Sequence, residues 1–160
     1  MSDPTPPQLG RALQVGDVAP DFELTSQAGD PVKLSDFKDQ WVVVYFYPAD
    51  DTPGCTKEAC SFRDSFEDFT DAGAAVIGIS KDSVDSHQKF AAKHSLPFTL
   101  LSDDGAEVAK AWGVGKSLGI LPGRVTYVIS PQGVVRKKFS SQLQASKHTA
   151  EALETIRAGA

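Results

Sequence analysis

The segment Trp41-Val-Val-Val-Tyr-Phe-Tyr47 constrains the fold of this chain more than any other. All seven side chains are β-branched or aromatic, so the run favours a strand, and apolar groups fall on both faces of the pleat. Either face left open would put large rings in water, so such a strand has to be sandwiched. The run is far shorter than the ~20 residues that cross a bilayer as a helix, and Pro48 stops it. The chain therefore needs a sheet with helices on both sides.

The rest of the pattern supplies those layers. Phe22-Glu-Leu-Thr25 and Val32-Lys-Leu34 flank Gly29-Asp30 as an opening hairpin. Between Pro53 and Thr70 the residues Ala59, Phe62, Phe66 and Phe69 recur at the period of one helix face, a packing stripe ended by Gly73. Ala74–Ser80 predicts a second buried strand, Val84–His94 a helix, Phe98–Leu101 a third strand and Ala106–Trp112 another helix. Arg124–Ser130, the turn Pro131-Gln-Gly133 and Val134–Phe139 predict a second hairpin, and Lys147–Arg157 a closing helix. The fold class is α/β: a central mixed β-sheet flanked by helices on both faces, with an antiparallel hairpin added at one side.

With 160 residues, 41% hydrophobic and 23% charged, the chain is the size of one ordinary globular domain. Residues 1–14, opening with Met1-Ser-Asp-Pro-Thr-Pro-Pro7, read as a flexible lead-in, and residues 15–160 as the folded unit. That opening lacks the pattern of a secretory signal or of an Arg-rich transit peptide. Sixteen Lys and Arg against 21 Asp and Glu leave a net charge of −5, the wrong sign for phosphate backbones, so neither nucleic acid nor a membrane is an expected partner. Two cysteines, Cys55 and Cys60, cannot build a multi-bridge framework. They point to a reducing compartment, the cytoplasm, or a plastid if a transit peptide has been removed.

Both cysteines lie in Pro48-Ala-Asp-Asp-Thr-Pro-Gly-Cys55-Thr-Lys-Glu-Ala-Cys60, where the central strand hands over to the long helix. In open α/β sheets the carboxyl ends of strands are where sites are built. Thr52 suits an N-cap and Pro53 the first helical position, which puts Cys55 at N3 beside unsatisfied N–H groups and the positive end of the helix dipole. Thiols ionise in such settings. Ionisation alone is too little: a thiol whose pKa falls from about 8.5 to ~6 gains roughly 30-fold in thiolate at pH 7 but loses roughly 13-fold in nucleophilicity. A fast thiol enzyme must also place its electrophile and stabilise charge on the leaving oxygen. The Thr52 hydroxyl, backbone N–H groups and a nearby arginine are the donors required.

Pro48-x-x-x-Thr52-x-x-Cys55 resembles the active-site signature of the peroxiredoxins, and Cys60 five residues later resembles the bacterioferritin-comigratory-protein or peroxiredoxin Q subfamily. Phe46 to Asp64, Val76-Ile-Gly-Ile-Ser80 and Leu121-Pro-Gly-Arg-Val-Thr-Tyr-Val128 are similar to that subfamily almost residue for residue. Gly113-Val-Gly-Lys-Ser-Leu-Gly119 departs from it in length and aromatic content. The resemblance, from about Val15 to Arg157, implies a thioredoxin-like fold and a thiol-dependent peroxidase acting on hydrogen peroxide and organic hydroperoxides. It implies that Cys55 is oxidised to a sulfenic acid, that Cys60 resolves it as an intramolecular disulfide, and that thioredoxin or a similar dithiol recycles it. Pro48 would shield the sulfur, Thr52 hydrogen-bond the peroxide or thiolate, Arg124 stabilise the anion and Glu58 orient that arginine. No cofactor is implied. With the resolving cysteine in the same chain, a monomer is expected.

Other readings stand beside this one. A thioredoxin-type disulfide carrier is the alternative, although four residues rather than two separate the cysteines. His87, His94 and His148 show no paired spacing with them, so no metal site is expected and the histidines read as surface residues. Asp50 and Asp51 either favour the helix start or oppose a thiolate. If one helix holds both cysteines, their Cα atoms lie roughly 8.7 Å apart, beyond the about 7 Å that a disulfide spans. Forming that bond would require the first turns to unwind, eased by Gly54.

Overall fold

The structure is a computed structural model that describes residues 12–114, 124–140 and 145–159, with only the backbone at 145. Its strands are β1 (Glu23–Ser26), β2 (Pro31–Lys33), β3 (Trp41–Phe46), β4 (Ala74–Ser80), β5 (Thr99–Ser102), β6 (Val125–Ile129) and β7 (Val135–Ser140). They form one mixed sheet in the order β2-β1-β5-β4-β3-β6-β7. The three central strands run parallel, β3 to β4 and β4 to β5. β6 lies antiparallel to β3 and β1 antiparallel to β5, so an antiparallel hairpin closes each edge of the sheet rather than one.

The central strand is sandwiched as its composition demands. Val43, Tyr45 and Tyr47 pack in one core with Phe62, Phe90, Ala152 and Ile156, while Val42, Val44 and Phe46 pack on the opposite face with Phe22, Ile77, Trp112 and Tyr127. The covering helices are α1 (Pro53–Asp64), α2 (Phe66–Asp71), α3 (Val84–His94), α4 (Glu107–Trp112) and α5 (Ala145–Gly159). A 3-10 turn at Leu34–Phe37 follows the first hairpin. Among the described residues, no helix is long and apolar enough to cross a membrane.

The single helix expected from Pro53 to Thr70 is two helices. Ser65, at φ −102° and ψ 6°, ends α1, and α2 begins at the next residue. The apolar stripe continues across the break, with Phe62 tilted against Phe69 (ring centroids 5.7 Å apart) and Phe66 near Phe98 (6.4 Å). Periodicity does not register an interruption that leaves the buried face in phase. Leu13 falls on the lead-in side of the boundary expected at residue 14, yet it is fully buried and its N–H donates to Trp112 O at 2.9 Å. Residues 1–11 of the lead-in, residues 115–119 of the divergent segment and 121–123 of the Leu121–Val128 motif lie outside the described residues.

Candidate active site

The site is assembled at the carboxyl end of β3. Tyr47 extends the ladder by donating its N–H to Ile79 O at 3.1 Å, and Pro48, which has no N–H, then turns the chain out of the sheet. Thr52 is extended at φ −82° and ψ 150° as the N-cap of α1, with Pro53 at N1, so Cys55 stands at N3. The Thr52 hydroxyl does not cap the helix; it donates to Ala49 O at 3.0 Å, which leaves its lone pairs to accept. Pro48 and Thr52 are half-buried, and Cys55 is 1% exposed.

Arg124 reaches this cysteine because of the sheet. β6 runs antiparallel beside β3 with Val125 opposite Phe46, so the residue preceding β6 lies next to the end of β3. Arg124 Nη2 donates to Cys55 Sγ at 3.3 Å and Nη1 to Glu58 Oε1 at 2.9 Å. A Cβ at Gly54 would lie 2.8 Å from Nη2, so a glycine at N2 allows the guanidinium to rest on the first turn. Burial opposes the charge on Arg124, but Glu58 and Cys55 outweigh it and hold the guanidinium protonated. Glu58 is wholly buried, and burial pushes its carboxyl up to about 7 against the pull of Arg124. Its Oε2 has no hydrogen-bond partner among the described residues and lies 3.3 Å from His148 Nδ1, which is itself paired with Thr126 Oγ1 at 2.7 Å.

A model of the AhpC/TSA family matches residues 15–138. The chloroplastic peroxiredoxin Q of Sedum lineare is 57% identical over 143 residues, covering 89% of this chain and 77% of that protein. The chain belongs to the AhpC/TSA family, among the peroxiredoxin Q proteins. The chloroplastic peroxiredoxin Q of Arabidopsis thaliana is 56% identical over 144 residues, covering 89% of this chain and 67% of its own length. Among solved structures, peroxidoxin BcpB from Mycobacterium tuberculosis superposes with a TM-score of 0.84 at 42% identity, covering 91% of this chain and 97% of the other. Xanthomonas campestris peroxiredoxin Q gives a TM-score of 0.78 at 33% identity, with coverages of 86% and 90%. The fold is the thioredoxin-like fold of peroxiredoxins.

Within this peroxiredoxin the histidines depart most from the sequence reading. His87 and His148 are fully buried rather than on the surface, and the His94 side chain is only 19% exposed. The signal was available in helix phase: His87, Phe90, Ala91 and His94 share one stripe of α3, and His148, Ala152 and Ile156 one stripe of α5. A histidine taken singly reads as a surface polar residue; the apolar neighbours on its helix face place it inside.

His87 organises the loop before α1. Asp50 accepts from Tyr47 OH at 2.6 Å, from Ser86 Oγ at 2.8 Å and from His87 Nδ1 at 2.8 Å, and His87 Nε2 donates to Leu101 O at 2.9 Å. Burial raises the Asp50 carboxyl, but the hydrogen bonds from His87, Tyr47 and Ser86 prevail and hold it below the usual carboxylate range. Asp50 is thus tied to Ser86 and His87 of α3, while exposed Asp51 pairs with Lys93 at 3.2 Å. Asp50, Asp82 and His87 bring three ligand-type atoms within 4.8 Å of one another. Their direct hydrogen bonds to one another and to Ser80, Ser86 and Leu101 occupy those atoms. Cys60 is half-buried, 4.0 Å from His94 Nδ1 of α3, and both thiols are free.

Proposed function

We propose that the chain is a thiol-dependent peroxidase in which Cys55 is the peroxidatic and Cys60 the resolving cysteine. The observation that carries this reading is the Arg124 guanidinium, which touches the Cys55 sulfur with one nitrogen and the buried Glu58 carboxylate with the other. A hydroperoxide entering beside Pro48 donates its O–H to Thr52 Oγ1, whose own proton is engaged at Ala49 O. The Cys55 thiolate attacks the outer peroxide oxygen: an S–O bond forms, the O–O bond breaks, and the alkoxide or hydroxide takes up a proton. Arg124 stabilises charge on sulfur and oxygen through that step, and Glu58 holds the fork in position. The product is a Cys55 sulfenic acid.

Cys60 then attacks the Cys55 sulfur, water leaves, and a disulfide forms within the chain. α1 runs unbroken through both residues, so its first turns must unwind for the sulfurs to meet. A thioredoxin-class dithiol reduces the disulfide and restores both thiols. The molecule acts as a monomer, and the chloroplastic names of the plant relatives support a plastid as well as the cytoplasm expected from composition. Cys55→Ser should abolish peroxide consumption. Cys60→Ser should consume one equivalent, yield a sulfenic acid trapped by dimedone, and fail to turn over with thioredoxin. Normal turnover by Cys55→Ser sinks the proposal, and disulfide exchange without any peroxide consumption by the parent protein would make it a carrier instead.

A further inference from the structure

The first turn of α1 serves Cys55 alone. Cys60 is the eighth residue of the helix, beyond the reach of the dipole, and Arg124 is committed to Cys55 and Glu58. An ordinary thiol is only about 3% thiolate at pH 7, so a resolving sulfur without help is a poor nucleophile there. Help is present on α3. His94 Nδ1 lies 4.0 Å from Cys60 Sγ, and its Nε2, with no hydrogen-bond partner among the described residues, lies 3.8 Å from Asp51 Oδ1. The ring stands edge-on to Phe90 with centroids 5.1 Å apart, and the His94 carbonyl accepts from Arg63 Nη1 at 2.8 Å, tying the end of α3 to the helix that holds Cys60.

We propose that His94 is the base for the resolving step, taking the Cys60 proton at Nδ1 with the Asp51 carboxylate facing Nε2 across 3.8 Å. This deepens the function proposed above and rests on Cys60 being the resolving cysteine. The order thiol, imidazole, carboxylate is that of an activated nucleophile whose base is oriented by a third group. The surrounding charges divide. Asp51 is the acidic group facing the ring, and the cations nearby are Lys93, 3.2 Å from the same Asp51 oxygen, and Arg63, itself paired with Asp64 at 3.0 Å. Cys60 S–H transfers its proton to Nδ1, the helix unwinds, and the thiolate attacks the Cys55 sulfenic sulfur. The S–S bond forms as the S–O bond breaks, and the departing hydroxide recovers a proton as water. The sum is one thiol and one sulfenic acid giving one disulfide and one water. Transfer precedes unwinding because unwinding carries Cys60 away from the base.

The step is read by stopped-flow fluorescence as the first-order phase that does not depend on peroxide concentration. His94→Gln should slow it on the order of tenfold at pH 7, and Asp51→Asn about two- to threefold. By about pH 9.5, where thiols ionise unaided, both variants should converge on the parent rate, which loss of structure alone would not produce. In a Cys55→Ser background, alkylation of Cys60 at pH 7 should fall with the same ranking. An unchanged His94→Gln rate at pH 7, or equal slowing at both pH values, overturns the assignment of the base. Full turnover by Cys60→Ser with thioredoxin would instead remove the resolving role itself, and the base with it.

Discussion

Asp50 and Glu58 stand on either side of Cys55, each a carboxylate facing a cation or a histidine, and their environments push them in opposite directions. Asp50 receives hydrogen bonds from Tyr47, Ser86 and His87 and is held below the usual carboxylate range. Glu58 receives one, from Arg124, in a wholly buried place and is raised to about 7. Hydrogen bonds outweigh burial in the first case, and burial prevails in the second. The loop side is therefore saturated and acts as an anchor. The helix side keeps Glu58 Oε2 and Arg124 Nε without hydrogen-bond partners among the described residues, an arrangement tolerable where a reacting group has to be served.

The sharpest way to break this contrast is to remove its shared cation. Arg124→Ala should slow the peroxide step by on the order of a hundredfold or more with the fold intact, and Arg124→Lys should not restore it, because an ammonium cannot bridge sulfur and carboxylate as a fork does. Stopped-flow kinetics against peroxide concentration checks this, and an unchanged rate in the folded Ala variant removes Arg124 from the site.

The next effect is on stability. With its folded pKa near 7 and a usual value of 4.5, Glu58 binds an extra proton in the folded state between those limits. Its contribution is present below 4.5 and is lost as pH rises to about 7, by up to about 3 kcal/mol. Glu58→Gln should flatten that decline in urea titrations run across this range. Asp50 has the opposite sign: its contribution is present above its usual value of 3.8 and is lost as pH falls below it. Asp50→Asn should cost about 2 kcal/mol at neutral pH, the worth of a buried charged hydrogen bond, and blunt acid unfolding.

The smallest effect tests placement rather than charge. Gly54→Ala puts a methyl where Arg124 Nη2 now rests. The peroxide step should slow by roughly tenfold, while the helix gains up to about 1 kcal/mol and the oxidised chain unwinds less readily. Amide exchange over α1 in the disulfide form reads the second consequence.

Strands, helix faces and the helix-start position of Cys55 were legible because each follows from local rules. A seven-residue apolar run cannot be a surface strand, and Thr52-Pro53 sets the frame of the turn whatever lies elsewhere. Resemblance to the peroxiredoxins, not spacing, pointed to Arg124, which meets Cys55 across 69 positions. His87 and His148 are buried because their helix phase aligns them with apolar neighbours, which residue type alone does not show.

The sequence by itself determined that Cys55 would sit in the first turn of a helix, since helix geometry and capping act over a few residues. The tertiary structure decided what that thiol touches. The antiparallel seat of β6 beside β3 brings Arg124 to the sulfur, and α3 and α5 supply the three histidines. Those residues lie 32 to 93 positions from Cys55, joined by pairing and burial that no local pattern encodes.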